Sequence, residues 1–188
     1  GVSVTQWLLW AADQALRQVS LAPESINSWV YPVNLRGATQ CLRESMNQCG
    51  GFIVTIAPNS TALTVQNQIR NRFARLEHWS QWWQLSIGRW VGQTGVNFIY
   101  RRLQQKPGQF VGSYTNLGDW QVPAIDGLVA AAPCSPSYPI SVTTATCNGR
   151  RSLSVRVHPV VNEDGRAHKK ALALWRMAAL AMPAQAAA

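Results

Sequence analysis

The sequence predicts an α/β domain, a β-sheet flanked by helices, and three observations carry that prediction. Apolar residues recur at helical spacing near both ends of the chain, strand-like runs lie between them, and Asn148-Gly149 separates two alternating segments as the strongest short hairpin signal present. The chain has 188 residues with 47% hydrophobic and 13% charged residues, enough to bury the core of one globular domain. No internal repeat or linker divides it, so residues 1–182 are expected to form one unit followed by a flexible Ala-rich tail over 183–188.

Trp7, Leu8, Ala11, Ala12, Ala15, Leu16 and Val19 step by three and four, which predicts a helix over about 3–20, capped by Ser3 or Thr5 and closed by Pro23. Ser28-Trp29-Val30-Tyr31 reads as a strand that ends in Val33-Asn34-Leu35-Arg36. An arginine at such a strand end is expected to pair with a carboxylate or cap carbonyls, so Asn34 and Arg36 read as structural. Phe52-Ile53-Val54-Thr55-Ile56 is a continuous apolar run, expected as a central strand buried on both sides.

From Leu63 to Val91, Ile69, Phe73, Leu76, Trp83, Ile87 and Trp90 predict one long helix or two joined helices. Trp83 and Trp90 are expected in its core stripe, Trp79 beside it and Trp82 outside; a lobe or acyl-group contact, a membrane surface and nucleic acid are the other uses for such residues. Gly92 and Gly95 predict a break, and Phe98-Ile99-Tyr100 a short helix or strand. A basic loop follows over 101–108. Gln109 to Thr115 is expected as the central strand, Pro123 to Pro139 as irregular chain, and Ile140 to Val157 as the hairpin. A helix over about 165–181 closes the pattern.

The formal charge of +9 and pI near 10.1 point to an anionic partner, for which nucleic acid, CoA and anionic lipid are the candidates. Cys41, Cys49, Cys134 and Cys147 lack zinc-site spacing and read as reduced core thiols. No apolar run approaches the roughly 20 residues that span a bilayer. A cytoplasmic location is expected, at a membrane surface if the partner is lipid. The chain opens inside a helical pattern without an initiating Met, as expected of a fragment or a processed chain.

The stretch Gly112-Ser113-Tyr114-Thr115-Asn116-Leu117-Gly118-Asp119-Trp120 concentrates hydroxyls, a phenol, a carboxamide and two glycines. Glycine permits close backbone approach, and the uncharged polar groups offer hydrogen bonds without the desolvation cost of an ion. Such a site stabilises rather than attacks. The plain alternative is a strand ending in an Asn-Leu-Gly turn.

Taken in order with Tyr31-Pro32-Val33-Asn34-Leu35-Arg36-Gly37 and Cys147-Asn148-Gly149-Arg150, this stretch resembles the C-terminal half of the acyltransferase superfamily. That superfamily comprises chloramphenicol acetyltransferases, peptide-synthetase condensation domains, wax ester synthases and carnitine acyltransferases. The resemblance implies a mixed β-sheet flanked by helices, the C-terminal lobe of a two-lobed CoA-dependent acyltransferase-like fold. It implies an acyl-CoA or acyl-carrier thioester as substrate, an alcohol or amine as acceptor, and no covalently held cofactor or metal. Ser113 and then Thr115 match the oxyanion-side hydroxyls of the family, while Tyr114, Asn116 and Gly118 fall on the substrate-binding part of its strand. The family's catalytic His-His-x-x-x-Asp is absent. An N-terminal lobe carrying it is therefore the implied partner, and this chain alone is expected to be inactive.

Of the three histidines, His78, His158 and His168, none sits in a catalytic motif, and Ser113 lacks the second glycine of a nucleophile elbow. A hydrolase is not the leading reading. The alternative to the acyltransferase lobe is a non-catalytic basic module that binds an anionic partner through Arg70, Arg72, Arg75, Arg101 and Arg102.

Overall fold

The computed structural model describes residues 1–19, 23–36, 38–39, 48–80, 90–98, 101–102, 109–161 and 166–182. Five strands form one mixed sheet in the order β2-β1-β3-β4-β5: β1 Asn27–Asn34, β2 Cys49–Ile56, β3 Gly112–Trp120, β4 Ile140–Cys147 and β5 Arg150–Val157. The pairs β1/β2 and β4/β5 are antiparallel, whereas β3 lies parallel to both β1 and β4. The predicted central strand is thus the middle strand. The hairpin is where Asn148-Gly149 placed it, with φ of 49° and 76° at these two residues, the left-handed pair that a two-residue turn requires.

Three helices, α1 (Val4–Arg17), α2 (Ala62–Ala74) and α3 (Ala167–Leu180), pack together with α1 between the other two. Leu8, Leu9, Ala12 and Leu16 of α1 join Trp29, Phe52, Val54, Val142 and Trp175 in one core. The indole of Trp175 donates to the carbonyl of Leu8 (2.9 Å), so the largest side chain of α3 is satisfied as well as buried. Ser3 makes no side-chain cap; its backbone N–H instead donates to Gln66 Oε1 of α2 (2.6 Å).

An ion pair is buried within the α1 stripe. Asp13 Oδ2 accepts from Arg17 Nε (2.7 Å), and its Oδ1 accepts from Asn27 Nδ2 (2.7 Å) and Trp29 Nε1 (2.8 Å). The remaining Arg17 nitrogens donate to the carbonyls of Pro23, Ser25 and Ile56, all at 2.6 Å. Apart from the bond between the two, these contacts run from α1 to residues 23–29, which lead into and begin β1, and to the end of β2, so the pair fixes the helix against the sheet with no charge left unsatisfied.

The structure corrects several expectations. Among the described residues, the apolar strand Phe52–Ile56 is an edge strand, paired with β1. Phe52, Val54 and Ile56 enter the core while Ile53 is half-buried and Thr55 exposed, so ordinary alternation lies beneath the apolar run. Gln68 of α2 covers the edge, accepting from the Thr55 N–H and donating to its hydroxyl, both at 2.9 Å. Of the one long helix or two joined helices expected from Leu63 to Val91, the first ends at Ala74, where Leu76 takes a left-handed φ of 56° before a 3-10 turn over Glu77–Trp79, and residues 81–89 lie outside the described residues. Residues 90–98 are helical through Gly92 and Gly95 where a break was expected, with Gly92 at φ 66°. Trp90 is 90% exposed and forms no part of the core among the described residues. Trp82, Trp83, Cys41 and the tail 183–188 lie outside the described residues. No described helix is long and apolar enough to cross a membrane.

Candidate functional site

Strand β3 runs through the middle of the sheet, and its alternation divides the residues singled out above between two faces. Cross-strand register places Tyr114 beside Val142 and Asn116 beside Thr144, on the face that the helices cover. Ser113 and Thr115 lie beside Ser141 and Thr143 on the opposite face. The hydroxyls and the phenol-amide set therefore belong to two surfaces. Gly112 opens the strand because an added Cβ would stand 2.4 Å from the carbonyl oxygen of Ile140.

On the helix face, Tyr114 is fully buried. Its ring stacks on Tyr31 at 6.0 Å, Tyr31 on Phe52 at 5.2 Å, and Phe52 meets the edge of Phe73 at 5.2 Å, an aromatic row that crosses three strands into α2. Burial pushes the Tyr114 phenol far above its usual pKa despite a hydrogen bond of 3.4 Å to Thr144 Oγ1, so it stays neutral. Burial also raises Tyr31.

Beyond Tyr114 the strand carries a bulge. Asn116 pairs with Thr144 but Asp119 with Thr146, so β3 uses one residue more than β4 over the same length. Gly118 supplies the positive φ of 78°, and Asn116 Oδ1 holds the kink by accepting from the Gly118 N–H (2.9 Å). Asn116 Nδ2 donates to Thr5 Oγ1 of α1 (2.7 Å), which ties the bulge to the first helical turn. The extra residue returns Asp119 to the helix face. There a cavity of about 180 Å³ opens, bordered by Thr5, Asn116, Asp119, Thr144, Thr146 and Arg151.

The other face of β3 to β5 is lined with hydroxyls. Ser113 Oγ donates to Ser141 Oγ (3.3 Å), and both residues are buried. Over β4 and β5 an irregular strap crosses this face: Thr143 Oγ1 accepts from the Ala132 N–H (3.0 Å), Ser152 donates to the Leu128 carbonyl (2.6 Å), and Ser154 donates to that of Ala130. The turn residue Asn148 anchors the strap's start through bonds of 2.8–2.9 Å to Val122 and Ile125.

Among the described residues the Ser113 hydroxyl is bonded to Ser141. His78 packs against Phe73 at 5.0 Å, His158 Nδ1 accepts from the Val160 N–H (3.3 Å), and His168 stands in the first turn of α3. Asn34 Oδ1 accepts from the Arg36 N–H (2.9 Å) in a turn that carries Arg36 into solvent. The expected carboxylate partner of Arg36 is absent among the described residues; the buried structural arginine is Arg17. The described residues bring together no group of three or more His, Cys, Asp or Glu that could hold a metal. Among the basic residues of the alternative reading, Arg70, Arg75, Arg101 and Arg102 are exposed, whereas Arg72 is paired with Glu77 at 2.5 Å.

No family model and no curated protein matches the chain. Among solved structures, the epimerization domain from the third module of tyrocidine synthetase B is similar, with a TM-score of 0.53 at 12% identity over 94% of this chain. The likeness is one of fold. It shows a shared α/β arrangement, a mixed sheet with flanking helices, and this chain spans 41% of the length of that structure.

Proposed function

We propose that this chain is the C-terminal lobe of an acyltransferase, and that Ser113 lies on the oxyanion side of a site completed by an N-terminal lobe carrying His-His-x-x-x-Asp. The observation that supports this reading is the two-faced sheet. Helices α1 to α3 all pack on one side, while on the other side of β1 and β3 lie half-buried Val30 and Thr115 with buried Ser113 between them. The histidine of the second lobe would deprotonate the acceptor for attack on an acyl thioester. The Ser113 hydroxyl would turn from Ser141 towards the developing oxyanion.

The test is reconstitution with the N-terminal lobe, following thiol release from an acyl thioester in the presence of an alcohol or amine. The chain alone is expected to be inactive. In the reunited protein Ser113→Ala is expected to lower kcat roughly 10²–10³-fold, the usual loss for one oxyanion donor. Unchanged turnover in that variant rejects the role of Ser113, and turnover by the isolated chain rejects the need for a second lobe.

The basic-module reading rests on exposed Arg70, Arg75, Arg101 and Arg102. It requires an affinity for a polyanion that falls steeply with salt and fails in the quadruple Arg→Gln variant.

A further inference from the structure

We infer that the cavity between α1 and the ends of β3, β4 and β5 binds a small zwitterion, a molecule with a carboxylate and an ammonium group a few bonds apart, of which a free α-amino acid is the simplest case. This inference goes beyond the acyltransferase reading and does not depend on it. Two charges define the ligand. Asp119 lies opposite Thr146, and Thr146 opposite Arg151, so the carboxylate and the guanidinium flank one threonine on the same face. Their Cα atoms stand two strand spacings apart, about 10 Å.

The two groups do not close on each other: the ion pairs among the described residues are Arg17 with Asp13 and Arg72 with Glu77. Arg151 Nε donates to Thr146 Oγ1 (3.3 Å), and both terminal guanidinium nitrogens are without a partner among the described residues. An anion alone would gain Arg151 but meet Asp119, and a cation alone would meet the reverse conflict. A ligand with both charges satisfies both walls, its carboxylate on the guanidinium fork and its ammonium on Asp119.

The rest of the cavity fits that size and polarity. Its volume is about 180 Å³, and Thr5, Thr144, Thr146 and Asn116 supply neutral polar walls beside Val4 and Leu8. The bulge gains a purpose on this reading. Were β3 regular beyond Asn116, its alternation would set Gly118 opposite Thr146 and send Asp119 to the hydroxyl face, away from Arg151.

The experiment is a titration of the full 188-residue chain with L-alanine, followed by backbone amide NMR, with acetate and methylammonium as single-charge controls. Alanine is expected to shift the amides of Asn116, Gly118, Asp119 and Arg151, and to bind more tightly than either control. Asp119→Asn and Arg151→Gln are each expected to weaken it roughly tenfold or more, as loss of one charge-assisted contact does. Arg150→Gln, on the opposite face, is expected to leave it unchanged. Both site residues are exposed, and unchanged thermal melting of each variant establishes that it is folded. Absence of alanine-induced shifts, equal binding of acetate or methylammonium, or wild-type affinity in either site variant overturns the inference.

Discussion

The two faces of β3 are built on different chemistry although they share one backbone. The helix face is a row of aromatic and aliphatic side chains, Trp29, Tyr31, Phe52, Tyr114 and Val142, held by burial and shape. The opposite face of β3 to β5 is a field of hydroxyls, Ser113, Ser141, Thr143, Ser152 and Ser154, held by hydrogen bonds to one another and to the backbone of the strap. Apolar burial scales with area and tolerates no cavity, whereas a hydroxyl bond lost to water is largely replaced. One face therefore sets stability, and the other can be uncovered at small cost.

The sharpest test of that contrast is Trp29→Ala on the helix face. It removes a fully buried indole and strips Asp13 of a donor, so a loss of about 3–5 kcal/mol is expected by denaturant unfolding. A loss below about 1 kcal/mol would contradict the assignment of stability to this face. Next in size is an alkaline effect. Tyr114 and Tyr31 have folded-state pKa values raised by burial, so their contribution is complete below the unfolded value of about 10 and is lost as pH rises beyond it. Stability is expected to fall above about pH 10, and Tyr114→Phe to flatten that fall; an unaltered slope in the variant would show that the phenol ionises without unfolding the chain. The smallest effect belongs to the hydroxyl face. Ser154→Ala is expected to cost about 0.5–1.5 kcal/mol while raising amide exchange over 128–132, and unchanged exchange there would show that the strap is held by other means.

How much of this was legible in the sequence follows from where the physics is local. The Asn148-Gly149 hairpin, α1 and the middle strand were readable because turn chemistry and periodicity act within a few residues. The edge position of β2 was not, because an apolar run reports burial and not which neighbour supplies it; the cover comes from Gln68, distant in the chain. The ion pair of Asp13 and Arg17 had a signal, opposite charges four apart inside an apolar stripe, but their other partners come from two separate stretches, residues 23–29 and Ile56. Of the candidate site, Ser113, Tyr114, Asn116 and Gly118 were found as a string. Alternation then divided them between two surfaces, and the bulge that recruits Asp119 towards Thr146 and Arg151 becomes visible only once register is known. The Gly118 that makes it had been read as part of the substrate strand or a turn.

The sheet order has a consequence for how the chain reaches this state. Two antiparallel pairs, β1/β2 and β4/β5, can each zip from nearby residues, whereas β3 must join both in parallel fashion, its partner Trp29 lying far upstream of Gly112. On contact-order grounds β3 is expected to dock last, leaving β1 and β4 each with an open edge until it does. Substitutions in the β4/β5 hairpin are predicted to slow folding and those in β3 mainly to hasten unfolding, a division that stopped-flow kinetics on Val142→Ala and Tyr114→Phe would read directly.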